Sequence, residues 1–402
     1  MTNSEYILLH RNDDVRDLAL KPCPDGVDLR RALVQISGWQ KAMQKLPSWT
    51  QNDGIIFPEH LSMEQCSSER TAEYKLSVVS RLCAGGRMVD LTAGFGVDAT
   101  VMGRHFRHVT LVERNPELCD ILRNNLPLLN VKDNEIVNDD CVEWVKNYDV
   151  ATDGQFDLLF LDPARRDVNG RKTVLIGDCT PDVCQLQTRL KAMTKVVVVK
   201  LSPLLDLTSV ERELTGLAEL HVVSVENECK EVIAVMRSDA EGGSPEIICV
   251  NLTKKGIEQF VFTRDEERGA RVDFFAADDA AGTPLYLYEP NASVLKAGAY
   301  RTVASRYGAQ KAETSSHLYF SADFIEDFPG RAFRVIDIVQ PNKAGIKQLK
   351  QLKKANITTR NYPMSVSELR QKLQLRDGGD KYLFATTLTD ARRVVAVCEK
   401  RL

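Results

Sequence analysis

Asp90-Leu91-Thr92-Ala93-Gly94-Phe95-Gly96-Val97-Asp98-Ala99 lies between an apolar run, Met88 to Leu91, and an amphipathic stretch that begins at Val97. This is the sequence of a strand, a tight turn and a helix. Two glycines let the backbone turn sharply and let a ligand approach it closely. Asp98, in the first turn of the helix, suits the positive end of the helix dipole. A glycine pair at such a turn is also common as plain structure, so its meaning depends on its flanks.

Toward the C-terminus, strands and helices alternate, the pattern of a parallel sheet covered on both faces. HVTLVE (108–113), EIVND (135–139), FDLLFLD (156–162) and KVVVVKL (195–201) read as strands, with helical stretches between them. The helix before the last of these is expected to start with Thr180 as N-cap and Pro181 in its first turn. HVVSV (221–225) and EVIAVM (231–236), joined by a polar turn, read as a closing antiparallel hairpin, and EIICVNL (246–252) with QFVFT (259–263) as its continuation. The expected fold class is therefore α/β, a Rossmann-like core of mostly parallel strands.

Four successive strands end in acids: Asp90, Glu113, Asp139-Asp140 and Asp162-Pro163. In open α/β sheets, ligands bind outside the carboxyl ends of the strands. Glu113, nineteen residues after Gly94, stands where a carboxylate can accept both hydroxyls of a ribose, and Asp139-Asp140 where one can accept from an adenine amino group. Any one of these acids alone reads as a solvated loop residue or helix cap; the run of four argues for a site.

Toward the N-terminus, residues 1–65 read as short helices, with Leu29, Leu33, Ile36 and Met43 on one helical face and Pro47 ending it. A second amphipathic helix follows Ser67 or Ser68, carrying Ala72, Leu76, Val79 and Leu82. The charge runs between 264 and 284 mark a boundary. Beyond them, a helix capped by Asn291 is expected to run to about Tyr307. A small α+β domain then closes the chain, its last helix starting in the capping box Ser365–Glu368 and ending at Gly378-Gly379. The divisions are 1–65, 66–265 and 282–402.

The chain of 402 residues has a net charge of −3, but its ends differ. Residues 281–402 hold 20 Lys and Arg against 11 Asp and Glu, whereas 1–280 hold 33 against 45. An acidic body with a basic attachment points to an anionic partner for the attachment. Within it, Lys343, Lys347, Lys350 and Lys354 recur at helical spacing as one stripe, with Arg360 nearby. A solvated face is the ordinary reading of such a run, but its single sign favours phosphate. No run reaches the roughly 20 apolar residues of a membrane span. The opening MTNSEYILLHRNDD lacks a basic-then-apolar leader, and ten scattered cysteines without metal spacing suit reduced thiols. These features predict a cytoplasmic protein without membrane or metal.

With these residues in view, the chain resembles class I S-adenosylmethionine-dependent methyltransferases. DLTAGFG (90–96) is similar to their first motif, with Thr92 where many members carry a glycine; VERN (112–115), NDD (138–140) and FLDPARRD (160–167) are similar to the next three. QCSSERTAEYK (65–75), YEPNASVLKAG (288–298) and the basic end resemble the subgroup with a THUMP-like C-terminal domain, an RNA-binding type of module. The resemblance implies S-adenosylmethionine as cofactor, with Asp90, Thr92, Gly94 and Gly96 along its methionine part, Glu113 on the ribose and Asp140 on the adenine; Asp162 is a further cofactor-binding candidate, and the family's use of the segment before the first motif makes Glu69, Thr71 and Lys75 candidates to reach the pocket. It also implies RNA as substrate.

DPARR (162–166) lacks the second proline and the aromatic residue with which base-amine methyltransferases grip their target. Lys200-Leu201-Ser202-Pro203 follows the fifth strand without a cysteine, and Cys179 and Cys184 are expected on the preceding helix. A covalent thiolate route, as in carbon-5 pyrimidine methylation, is therefore disfavoured. Direct transfer to nitrogen or oxygen remains, with Asp162, Pro163 and Arg165 as the acceptor-side residues, and Arg165, Arg166 and Lys200 steering phosphate or stacking on a base. Surface ion pairing is the other reading of both arginines. Rival functions are a methyltransferase for a small molecule or protein, a nicotinamide-dependent oxidoreductase (Gly94-x-Gly96-x-x-Ala99 with Glu113 fits that fingerprint too), and a non-catalytic RNA-binding protein.

Overall fold

Val196, Val197, Val198 and Val199 are all buried, so both faces of their strand are covered. That is how a central strand of a parallel sheet reads in sequence, and each such side chain contributes roughly 1.5–3 kcal/mol by leaving water. The computed structural model describes residues 1–165, 175–240, 243–276 and 284–401, and of Arg165 the backbone alone. Two compact units divide the chain: Met1–Leu220 with Glu231–Gly243, and His221–Lys230 with Ser244–Leu402.

The principal sheet is built from β1 (Arg87–Asp90), β2 (His108–Val112), β3 (Asn134–Val137), β4 (Leu158–Leu161), β5 (Val196–Leu201), β6 (Leu217–Val225) and β7 (Glu228–Arg237), continued by β8 (Glu246–Thr253) and β9 (Gly256–Phe262). Its hydrogen-bonded order is β3-β2-β1-β4-β5-β7-β6-β8-β9. The first five strands run parallel, and β7 returns antiparallel along β5, Val196 opposite Arg237. The order reverses beside β1, which opens a crevice at the carboxyl ends of β1 and β4. The α/β class and the closing hairpin are as the sequence predicts.

In the first unit, helices α1 (Asn3–His10), α2 (Val15–Ala19), α3 (Leu29–Lys45) and α4 (His60–Gln65) precede α5 (Glu69–Leu82), α6 (Val97–Met102), α7 (Pro116–Leu128), α8 (Cys141–Asn147), α9 (Val150–Asp153), α10 (Val183–Met193) and α11 (Leu207–Glu213). Ser68 caps α5 by accepting from Thr71 N. Phe95, from inside the glycine turn, is buried with Trp49, Phe57 and Met63 of the N-terminal segment, its ring 4.9 Å from that of Trp49. The N-terminal helices thus hold the turn by burying its one large apolar side chain. The helix expected at Thr180 begins later: Asp182 is the N-cap of α10, accepting from Gln185 N, because a carboxylate there satisfies a free amide that Thr180 does not reach.

In the second unit, α12 (Arg264–Gly269) precedes β10 (Tyr286–Pro290), α13 (Ala292–Ala297), α14 (Tyr300–Tyr307), β11 (Gln310–Lys311), β12 (Tyr319–Ser321), β13 (Gly330–Val339), α15 (Lys343–Lys350), β14 (Asn356–Arg360), α16 (Val366–Leu373), β15 (Lys381–Thr387) and β16 (Arg393–Lys400). These strands form a sheet in the order β11-β12-β10-β13-β16-β15-β14. Leu349 of α15 and Leu369 and Leu373 of α16 pack on it.

Three expectations here need correction. The helix after Asn291 is two helices, broken where Gly298 turns left-handed; Asn291 caps by position only, since its amide donates to Glu258. Gln374, not Gly378-Gly379, closes α16 in the left-handed conformation. And α15 ends at Lys350, with Lys353 at φ +59°, so Lys354 does not continue the stripe of Lys343, Lys347 and Lys350.

Candidate active site

The turn between β1 and α6 is tied to both neighbouring strands. Thr92 N donates to Asp90 Oδ1 at 3.0 Å, and Asp162 N, at the end of β4, donates to Thr92 Oγ1 at 2.6 Å. Gly94 N donates to Glu113 Oε2 and Asn115 N to Glu113 Oε1, each at 2.8 Å. Asn138, after β3, donates to the Glu113 carbonyl at 2.9 Å. The ends of β1, β2 and β4 are therefore joined around one carboxylate and one hydroxyl, and that of β3 is tied in through the Glu113 carbonyl.

The two glycines serve different ends. Gly94 has φ +55°, and a Cβ there would meet nothing closer than Thr92 O at 3.8 Å, so its side faces open space. Gly96 has φ +82°, and a Cβ there would lie 2.4 Å from Leu122 Cδ2, against α7. Gly96 lets the helices pack; Gly94 leaves room beside the turn.

Asp90 is 1% exposed. Burial pushes its carboxyl up to about 8, only partly opposed by the Thr92 N–H, with Asp98, Asp162 and Glu113 adding repulsion.

Behind the turn lies a buried charge network. Lys75 of α5 has Nζ 2.5 Å from Glu231 Oε1 of β7 and 3.2 Å from Asp98 Oδ1 of α6, and it donates to Ser67 Oγ at 3.2 Å. Ser67 Oγ in turn donates to Asp98 Oδ2 at 2.7 Å. Lys200, at the end of β5, has Nζ 2.5 Å from Asp162 Oδ2 and 3.5 Å from Asp98 Oδ2. Burial opposes ionisation of Asp98, but Lys75 and Lys200 outweigh it and hold its carboxyl below the ordinary range. Burial likewise opposes the charge on Lys200, and Asp162 and Asp98 overcome it, so the ammonium stays protonated. For Glu231 burial wins over both lysines, and its carboxyl is raised.

A crystal structure of a candidate methyltransferase from Porphyromonas gingivalis W83 is 32% identical to this chain, covers 100% of it and 98% of its own length, and superposes with a TM-score of 0.87. The chain belongs to this methyltransferase family. Family models described as conserved hypothetical protein 95, ferredoxin-like domain and THUMP domain-like match residues 67–176, 286–329 and 330–400. Two more distant structures match less of it: the yhhF methyltransferase candidate of Escherichia coli (16% identity, 43% of this chain and 89% of its own, TM-score 0.30) and an RNA methyltransferase candidate of Pyrococcus horikoshii (19%, 38% and 70%, TM-score 0.28). No curated protein matches.

In this methyltransferase the structure brings Asp90, Thr92, Gly94, Gly96, Glu113 and Asp162 together at the crevice, with Pro163 buried beside them. Asp140 stands at the end of β3 as the N-cap of α8, its Oδ1 accepting from Val142 N at 2.9 Å. The side chain of Arg165, and Arg166, lie outside the described residues. Lys200, expected to meet the substrate, is paired with Asp162 and Asp98, as a buried ammonium needs carboxylates around it. Glu231 was not foreseen; an acid beginning the buried run of EVIAVM was the available signal.

In the second unit, Lys343 and Lys347 are exposed and Lys350 half-buried. Arg360, expected among the RNA-contacting residues, has Nη2 3.1 Å from Glu289 Oε1, a buried carboxylate that Arg331 also contacts. No cluster of three or more His, Cys, Asp or Glu side chains suited to a metal ion exists among the described residues, and no described helix is long and apolar enough to cross a membrane.

Proposed function

We propose that this methyltransferase uses S-adenosylmethionine and methylates RNA by direct transfer to nitrogen or oxygen. The observation that carries the cofactor is the Glu113 carboxylate bridging Gly94 N and Asn115 N at the mouth of the crevice. Each of its oxygens accepts one amide and keeps a second acceptor position, so two ribose hydroxyls still find partners there. The open space beside Gly94 and the buried acid Asp90 suit a cationic, chain-like group along the turn. S-adenosylmethionine, when bound, supplies an electrophilic methyl group on a sulfonium.

In this reading Asp90, Thr92, Gly94 and Gly96 line the methionine part, Glu113 holds the ribose and Asp140 the adenine amino group. Asp162, Pro163 and Arg165 face the acceptor. Residues 66–265 form the catalytic part, preceded by the helical segment 1–65. The basic part 282–402 binds RNA through Lys343, Lys347 and Lys350 of α15; the exposed, single-signed face supports this. All ten cysteines are free, which suits a cytoplasmic location.

The test has two arms. Equilibrium dialysis should show S-adenosylmethionine binding that Glu113→Ala weakens, and no NADH binding. Incubation with the methyl-radiolabelled cofactor and total cellular RNA should label the RNA. A protein that binds the cofactor but labels only small molecules or proteins would overturn the RNA substrate.

A further inference from the structure

The crevice ends in an ammonium–carboxylate pair, and its chemistry selects among acceptors. Lys200 Nζ contacts Asp162 Oδ2 and Asp98 Oδ2, so one of its three N–H groups has no partner among the described residues. Asp162 Oδ2 accepts from Lys200, while Asp162 N is fixed to Thr92 Oγ1 in the turn. Lys75, by contrast, donates to Glu231 and Ser67, lies 3.2 Å from Asp98 Oδ1 and is fully buried. Lys200 and Asp162, at the carboxyl ends of β5 and β4, are the more exposed pair, and Lys75 with Glu231 is buried against Asp98.

A nitrogen acceptor gains positive charge as it takes a methyl group, and a neighbouring ammonium opposes that. An oxygen acceptor behaves in the reverse way. A hydroxyl must give up its proton, its oxygen gathers negative charge, and an ammonium beside it stabilises that charge while a carboxylate receives the proton. A carbon acceptor on a pyrimidine requires a thiolate. Cys66, whose nearest charges include Lys200, donates to Met63 O, and burial raises its thiol further above neutrality; Cys184 is pushed up by burial to about 11.

We infer that the acceptor is a hydroxyl, and in RNA the ribose 2′-hydroxyl, with Lys200 stabilising the oxygen and Asp162 taking its proton. This rests on the RNA reading above. The oxygen–carbon bond forms as the carbon–sulfur bond of the sulfonium donor breaks. The electron pair of that bond stays on sulfur, which leaves as a neutral thioether, and the hydroxyl proton passes to Asp162 and then to water. Within an RNA chain the 2′-hydroxyl is the aliphatic hydroxyl that every internal residue offers.

The experiment uses the full chain, radiolabelled S-adenosylmethionine and RNA from cells lacking the gene, followed by complete alkaline hydrolysis. A 2′-O-methyl group blocks cleavage of the adjacent phosphodiester, so the label is expected in alkali-stable dinucleotides. Label in mononucleotides carrying a methylated base overturns the hydroxyl acceptor and leaves the RNA reading standing. Unlabelled RNA overturns both. Lys200→Met should lower incorporation by about 100-fold or more with cofactor affinity unchanged, and Lys200→Arg should restore part of it. A Lys200→Met protein that binds the cofactor and still methylates at the full rate also overturns the role of Lys200; the product assay on the unaltered chain stands even if that variant fails to fold.

Discussion

Lys75 and Glu231, 156 positions apart in the sequence, meet at 2.5 Å where neither side chain is more than 4% exposed. Each compensates a charge that the interior would otherwise reject. Lys75→Met should leave Glu231 and Asp98 short of a cation and cost about 3–5 kcal/mol, whereas adding Glu231→Gln should return much of that loss. Urea unfolding of the two single variants and the double measures it. Simple additivity of the two losses would mean that the pair is not energetically coupled.

Asp90 links stability to pH. Its carboxyl ionises near 3.8 in an unfolded chain and near 8 in the fold, so the folded state binds a proton that the unfolded state lacks across that range. The stabilisation is complete below the lower value and is lost as pH rises through the upper one. Across the range from about pH 4 to about pH 8 the unfolding midpoint should fall as pH rises, and Asp90→Asn should flatten that fall. A cationic ligand beside Asp90 favours its ionised form, so cofactor binding near neutral pH should release a proton. Calorimetry in buffers of different ionisation enthalpy would detect the release, and Asp90→Asn should abolish it.

Gly94 and Gly96 should separate under the same substitution. Alanine at either left-handed position costs roughly 1–2 kcal/mol. At Gly96 it also collides with Leu122 and should lower the unfolding midpoint further. At Gly94 the added methyl meets only open space in the free protein, so its main effect should be on the cofactor, a loss of about tenfold or more in affinity. Equal stability losses with unchanged cofactor binding at Gly94→Ala would argue against a ligand at the turn.

Charge reversal of Lys343, Lys347 and Lys350 to glutamate should weaken RNA binding and reduce the log–log salt slope by about 2–3. Arg360→Ala should act differently. By leaving buried Glu289 with Arg331 alone, it should destabilise the second unit more than it weakens RNA binding. Fluorescence titrations at several salt concentrations, paired with thermal unfolding, distinguish the two.

The alternation of strand and helix, the glycine turn at Asp90–Asp98, the acids at four strand ends and the hairpin 221–236 were all legible in the chain, because local periodicity and residues with special backbone freedom act over a few neighbours. Tertiary structure alone decided which charges meet. The sequence places Lys200 beside a strand end and Lys75 on an amphipathic helix; only the packing of α5, α6, β4, β5 and β7 encloses both with Asp98, Asp162 and Glu231. In the same way Arg360, one basic residue among nine Lys and Arg between 343 and 376, turned out to be the partner of Glu289. Electrostatic pairing depends on distance in space and on exclusion of water, and neither is a property of spacing along a chain.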